Sequence, residues 1–296
     1  MGNILTKQFY RQRKDFEDSC AGRDAGLIFP EGVICSTDIA YADDGIKAHV
    51  LDIYRPEDSQ EKILPVIINV HGGGLIIGNK EFNRYFCALL CKKGFLVYSI
   101  EYRLIPDCLI YDQIADVFMA MDYIKERLAA DGGDSSHVYM AGDSGGACLI
   151  TYANAIQNST NIARAANVTP SGLRINALGL ISGMFYTSRF DKIGLFLPKY
   201  LYGRDYKKTP FAKYVNPENR ELLNSLAPVW LVTSHNDFLR RYTTDFEKAL
   251  TRAEREHELV VFPKNKKLTH AFSVFEPFLP ESSAVIDMMV EYFRKF

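Results

Sequence analysis

The sequence predicts an α/β protein built on a mainly parallel sheet with helices on both faces. Short apolar runs of strand length, fit for burial on both faces, alternate along most of the chain with stretches of helical periodicity. No internal repeat, low-complexity tract or long linker interrupts that alternation, so residues 1–296 read as one domain with insertions. A length of 296 residues, 47% of them apolar, supplies enough side chains for one large core.

The elements follow in order. Residues 5–19 are rich in charge, with Phe9 and Phe16 one face apart, as in an amphipathic leading helix. Ile46 to Tyr54 alternates apolar and polar residues like a half-buried strand, which Pro56 ends; being antiparallel in type, it makes the sheet mixed. Buried strands are then expected at Val66–Val70, Phe95–Ile100, Val138–Ala141, Ile175–Ile181, Val229–Val232 and Leu259–Phe262. Helices are expected between them, at Asn83–Lys92, Gln113–Ala130, Gly145–Gln157 and Thr243–Glu256. The stretch between Ile181 and Pro228 breaks this rhythm and is rich in aromatics, Lys and Pro. An interruption of that length inside one domain points to a lid or binding segment.

Composition excludes several classes of function. Lys+Arg 35 against Asp+Glu 36 gives a net charge of −1, so no global field draws the chain to nucleic acid. No apolar run approaches the roughly 18–20 residues of a membrane span. The amino terminus lacks the apolar core of a secretory signal. Six scattered cysteines (Cys20, Cys35, Cys87, Cys91, Cys108, Cys148) contain no C-x-x-C pair, which favours reduced thiols and a cytoplasmic location. Cys87 and Cys91 sit four apart, but no His or Cys cluster completes a metal site, and none is expected. Met1-Gly2-Asn3-Ile4-Leu5-Thr6 fits the M-G-x-x-x-[ST] acylation pattern, followed by basic residues from Lys7 to Lys14. The pattern is short and degenerate, and a solvated helix is the simpler reading.

The chemistry is carried by two glycine-rich turns. Val138-Tyr139-Met140-Ala141-Gly142-Asp143-Ser144-Gly145-Gly146-Ala147 reads as strand, G-x-S-x-G, then helix. A serine in so tight a turn needs small neighbours on both sides, and the turn exposes its hydroxyl beside the Gly145 amide at a helix N-terminus. Gly-Asp-Ser-Gly-Gly also surrounds the nucleophile of trypsin-like proteases. Those are all-β and disulfide-bonded, with His and Asp before Ser; here the serine lies mid-chain among alternating β and α stretches, and no His sits in a cysteine-flanked context upstream. The second turn, His71-Gly72-Gly73-Gly74, ends the run Val66–Val70. Its glycines let backbone amides approach a substrate oxygen unobstructed, as in the partner oxyanion loop of lipases and esterases.

Together with Tyr102-Arg103-Leu104-Ile105-Pro106, these two motifs resemble the hormone-sensitive-lipase-like esterases of the α/β-hydrolase fold, in matching order from about residue 45 to the end. Ile105 and Asp107 stand where that family usually has Ala and Glu. Gly145 stands where it has Ala, and the extra glycine is expected to loosen the turn. The resemblance implies a helical cap drawn from residues 1–35 and 183–225.

Ligands of a parallel sheet meet the carboxyl ends of its strands. Asp237 follows Val229–Val232 through Thr233-Ser234-His235-Asn236, which suits a catalytic acid. A helix N-cap is the ordinary role for an Asp there, but Asp237-Phe238-Leu239 matches the family's Asp-x-Leu pattern. Among the histidines, His137 and His257 precede their strands, His49 lies within an early strand, His71 precedes Ser144, and His235 is a loop residue. His270, after Leu259–Phe262, satisfies the order Ser, Asp, His, and Ala271-Phe272 resembles the family's usual Gly-Phe after the histidine.

The expected activity is that of a serine carboxylesterase acting on short- to medium-chain acyl esters. Ser144 is the nucleophile, His270 the base and Asp237 its orienter; Gly73, Gly74 and Gly145, with Gly72 as a further candidate, form the oxyanion hole. Leu75, Ile76, Ile77, Met184, Phe185 and Tyr186 are candidate pocket residues, with core packing as the alternative. The cap aromatics Phe196, Tyr200, Tyr202, Tyr206, Phe211 and Tyr214 would equally accept aryl or sugar esters. No cofactor is required, and the expected partner is a small ester, with a homodimer as the candidate assembly. Two other classes stay open: a ligand-binding protein on this fold without catalysis, and an amide or peptide hydrolase using the same three residues.

Overall fold

A computed structural model of the chain describes residues 2–59 and 62–296. Among the described residues, strands β1 (Val33–Ala40), β2 (Val50–Pro56), β3 (Leu64–Val70), β4 (Leu96–Ile100), β5 (Gly133–Asp143), β6 (Ala177–Ile181), β7 (Val229–Ser234) and β8 (His257–Phe262) form one sheet, in the order β1-β2-β4-β3-β5-β6-β7-β8. β2 runs antiparallel to β1 and β4, and every other neighbouring pair is parallel.

The helices are α1 (Gly2–Asp24), α2 (Arg84–Cys91), α3 (Ile110–Arg127), α4 (Gly145–Asn158), α5 (Thr160–Ala166), α6 (Lys192–Phe196), α7 (Pro198–Leu201), α8 (Arg220–Asn224), α9 (Arg240–Arg252), α10 (Phe272–Phe275) and α11 (Pro280–Phe293). The two-residue period of a strand divides the core into two. Val66, Ile68 and Val70 of β3, with Val138 and Met140 of β5, face α3, α4, α5 and α9. Ile67, Tyr139 and Ala141 face α2, α10 and α11 on the other side. Burial on both faces explains why these strands read as unbroken apolar runs.

The structure departs from the sequence expectation at several elements. The strand expected from Ile46 begins only at Val50. Residues 46–49 turn instead: the His49 amide donates to the Ile46 carbonyl at 3.0 Å, and the Ile46 amide to Asp44 Oδ1 at 3.0 Å. His49 therefore lies in this turn, its ring buried between Asp44 and Asp116, and not within a strand. β1 carries no clear period because it is an edge strand, largely exposed, with its register shifted between Ser36 and Ile39. α5, α10 and α11 are additional helices, as are the short α6, α7 and α8 in the segment after β6.

The segment after β6 is fastened from below by aromatics. The Tyr202 hydroxyl lies 3.0 Å from that of Tyr152 on α4 and 2.7 Å from Thr187 Oγ1, and Phe211 packs edge-on to Tyr111 of α3. α1 crosses to meet it. Phe9 packs edge-on against Tyr200, and Arg13 donates to the carbonyls of Ile76 and Ile105, both at 2.7 Å, and pairs with Asp107. Farther along α1, Phe16 turns to the second core, against Phe82. Met1, where the acylation pattern begins, lies outside the described residues. No helix among them is long and apolar enough to cross a membrane, and no group of three or more His, Cys, Asp or Glu is placed to hold a metal ion. The six cysteines are free thiols.

Candidate active site

β5 ends at Asp143 and α4 begins at Gly145, so Ser144 alone makes the turn between them, at φ 49° and ψ −111°. A residue with a side chain in so sparsely populated a region stores about 1–3 kcal/mol of strain and persists only where its surroundings enforce it. They do so here: the Ser144 amide donates to the Ile181 carbonyl at 2.8 Å, and its carbonyl accepts from Met184 at 2.9 Å. A Cβ at Gly146 would lie 2.1 Å from the Val70 carbonyl oxygen, so helix and strand close up only around a bare glycine.

The three side chains named from chain order meet at this turn. Asp237 Oδ1 accepts from His270 Nδ1 at 2.7 Å, which leaves Nε2 to accept from Ser144 Oγ at 2.9 Å. Asp237 is buried. Its Oδ2 accepts from Thr233 Oγ1 at 2.9 Å, and its Oδ1 from the Leu239 amide at 2.8 Å, so it caps the following turn while it orients the imidazole. Burial pushes this carboxyl up, but the hydrogen bond and charge of His270, with bonds from Ser182 and Leu239, outweigh burial and hold it below the ordinary aspartate value. It is ionised at neutral pH and fixes the proton on Nδ1. Ser182, in a left-handed conformation at φ 50°, steadies the loop by accepting from the Ala271 amide at 3.1 Å.

The glycine loop lies against the same turn, and one expectation about it is corrected. The Gly72 amide donates to Asp143 Oδ1 at 2.9 Å, so it is spent on the framework and is not free for an oxyanion. The amides of Gly73, Gly74 and Gly145 have no acceptor among the described residues. A second correction concerns Gly145. A Cβ there would lie 2.8 Å from the Leu75 nitrogen and 3.0 Å from that of Gly74. The glycine does not loosen the turn; it lets the two amide-bearing segments close on each other.

The Tyr-Arg motif holds this loop in place. Tyr102 stacks on His71 with ring centres 4.3 Å apart, and its hydroxyl donates to the His71 carbonyl at 2.8 Å. Both nitrogens of His71 face acceptors, the Gly72 carbonyl at 2.8 Å and Glu101 Oε1 at 3.1 Å. Burial pulls this imidazole down, yet the Glu101 charge and these bonds prevail and raise it above its ordinary value. Arg103 forks onto the buried Asp116, and Gln113 Nε2 donates to the carbonyls of both Leu75 and Arg103.

Other functional neighbours had no sequence signal. Ser182 and Thr233 are ordinary polar residues at strand ends, recognisable only once the strands are paired. Phe238, largely exposed, sets its ring 4.4 Å from the His270 imidazole. Of the candidate pocket residues, Leu75, Ile76, Met184, Phe185 and Tyr186 are buried in the core, Ile77 packs partly buried against it, and Phe185 stacks on Phe246. Tyr202, Phe211 and Tyr214 are likewise buried in the packing of the insertion.

A family model for the alpha/beta hydrolase fold matches residues 67–273. The chain is 29% identical over 184 residues to a probable isoprenylcysteine alpha-carbonyl methylesterase of Oryza sativa subsp. japonica, covering 58% of this chain and 44% of that protein. It is 30% identical over 131 residues to tuliposide A-converting enzyme b1 of Tulipa gesneriana, covering 40% of this chain and 35% of that one. Its matches thus span less than half the length of these curated relatives. Among solved structures, esterase B from Lactobacillus Rhamnosis superposes with a TM-score of 0.92 at 22% identity, covering 99% of this chain and 95% of that one. A bacterial heroin esterase superposes with a TM-score of 0.73 at 23% identity, covering 98% and 92%.

Proposed function

The chain belongs to the alpha/beta hydrolase fold family, and from that premise we propose that it is a serine carboxylesterase working through an acyl-serine intermediate. The observation that carries this reading is the continuous chain Ser144 Oγ–His270–Asp237, at 2.9 and 2.7 Å, beside backbone amides with no acceptor among the described residues. Ser144 attacks the ester carbonyl while His270 Nε2 takes its proton. Asp237 stabilises the imidazolium without taking a proton itself. The tetrahedral oxyanion is received by the amides of Gly73, Gly74 and Gly145, each worth about 2.7–4 kcal/mol in such a site. His270 then protonates the leaving alkoxide. Water, activated by the same base, releases the acid and restores the serine.

Short- to medium-chain acyl esters are the proposed substrates. The core positions of Leu75, Met184 and Phe185 support this, because these apolar side chains are packed in the core and offer little exposed surface to a long acyl chain. The same fold at TM-score 0.92 and 23% identity has been solved as an esterase B inhibited by a tributyrin phosphonate, an analogue with short acyl chains. The cap expected from residues 1–35 and 183–225 is proposed here as α1 with the loop that follows it and residues 183–225, because Val33 already begins β1 of the sheet.

A panel of p-nitrophenyl esters of increasing chain length, with a p-nitroanilide alongside, tests the reading. The expected result is turnover of the acetate and butyrate, a fall toward long chains, and little or no anilide cleavage. His270→Ala should lower kcat by about a thousandfold, as loss of a triad base does elsewhere. A loss below about tenfold would show that another group is the base. Equal near-zero rates for wild type and Ser144→Ala would favour a binding protein instead.

A further inference from the structure

α6 is a helix with none of its residues buried. It is held by its cap rather than by a core: Asp191 Oδ1 accepts from the Ile193 and Gly194 amides, and Asp191 Oδ2 from the Tyr242 hydroxyl at 2.6 Å. This firm cap presents large apolar side chains to solvent, with Phe190 90%, Leu195 56% and Phe196 61% exposed. Apolar residues scattered singly over a surface need no explanation. Three within seven positions, on and just before one short exposed helix, do.

The segment around α6 is densely cationic. Lys192, Lys199, Arg204, Lys207 and Lys208 are all exposed, and the one exposed carboxylate among them, Asp205, pairs with Lys208 at 3.0 Å. Among the described residues, no carboxylate lies within ion-pair distance of Lys192, Lys199, Arg204 or Lys207. Leu195 and the cations Lys199, Arg204, Lys207 and Lys208 share the wall of one open cavity of about 390 Å³, so apolar and charged groups occupy one surface. All this sits on a molecule whose net charge is −1.

We propose that this face docks the protein on an anionic lipid surface. Phe190, Leu195 and Phe196 enter the boundary between headgroups and acyl chains, and the surrounding lysines and Arg204 lie against the lipid phosphates. Neither feature suffices alone: few apolar side chains give weak, reversible attachment, and a basic cluster needs negative lipid to act on; together they make a two-signal anchor. Charge complementarity selects the occupant. A second copy of this face would set cation against cation, and single-stranded nucleic acid stacks its bases on a row of exposed aromatic platforms, whereas the cavity here is walled by lysines, Arg204 and Leu195 with one part-buried ring, Tyr206. The docking is independent of the proposed catalytic residues.

The test is co-sedimentation of the whole chain with phosphatidylcholine vesicles, with and without phosphatidylglycerol. The wild type should pellet only with phosphatidylglycerol present, and added salt should release it. Lys199→Glu/Lys207→Glu/Lys208→Glu, and separately Phe190→Ser/Leu195→Ser, should each lower the bound fraction about tenfold or more. Both variants should keep the wild-type melting temperature and its rate on a soluble p-nitrophenyl ester. Failure of the wild type to pellet with anionic vesicles would overturn the proposal, as would undiminished pelleting of both variants. A wild-type dimer that the variants dissociate would assign the face to a second copy. Vesicle binding by a protein without esterase activity would sustain this inference and sink only the proposed function.

Discussion

At position 145 a single missing methyl group decides how two loops meet. The Gly145 Cα lies where any Cβ would press on the Leu75 and Gly74 nitrogens, at 2.8 and 3.0 Å, and both are backbone atoms that a rotamer change cannot move aside. The Gly74 amide is one of the proposed oxyanion donors, so a side chain at 145 acts on the reaction through the position of that amide. Gly145→Ala should lower kcat by about tenfold or more with KM little changed, since a displaced donor is lost mainly in the transition state. Unchanged kcat for a folded Gly145→Ala protein would show that the glycine loop has room to retreat. The motif itself was legible in the sequence. The reason for its second glycine was not, because that reason is a contact with residues seventy positions earlier.

Among the elements, the turn that leaves the glycine loop is anchored by a lysine with almost no access to water. Lys80 is 1% exposed; its ammonium pairs with Asp52 of β2 at 2.9 Å and Asp38 of β1 at 2.8 Å, and its amide donates to Glu101 at 2.8 Å. Burial by itself would push this ammonium down, but its bonds to Asp38, Glu81 and Asp52 dominate and hold it above the ordinary lysine value. With a raised folded-state value, its contribution is fully present below the ordinary lysine pKa and fades as pH rises through the folded one. Lys80→Met would strand the buried Asp52 carboxylate, and should cost about 3 kcal/mol in urea unfolding. Adding Asp52→Asn should recover part of that loss. A single variant as stable as wild type would show that Asp52 is not held by this pair. The link ties β1 and β2 to the loop, and it explains why β1 escaped the sequence reading. An exposed edge strand fastened by charge carries no unbroken apolar run of the kind that revealed β3 to β8.

For the whole molecule, what sequence could reveal and what it could not divide along one line. Parallel strands buried on both faces announce themselves as apolar runs, and their carboxyl ends limit where chemistry can gather. That limit is why Ser144, Asp237 and His270 could be named together from chain order. The structure brings them into one hydrogen-bonded chain although 126 residues separate serine from histidine. The supporting contacts, Gly72 to Asp143 and Ser182 to Ala271, were illegible because each joins the end of one strand to a loop after another. The insertion after β6 was legible only as an interruption. Its aromatics proved to be split between a buried fastening and an exposed basic face, a division that composition cannot express.

The account stands on one activated hydroxyl, and covalent labelling reads that hydroxyl directly. Incubation of the folded protein with a p-nitrophenyl ester of a short-chain alkylphosphonate, from which p-nitrophenolate leaves as the serine oxygen bonds to phosphorus, followed by intact mass and peptide mapping, should give one phosphonyl adduct, on Ser144. The adduct should be absent from Ser144→Ala and formed far more slowly by His270→Ala. A folded wild type that takes no adduct, or carries it on another residue that still reacts in Ser144→Ala, would contradict the account.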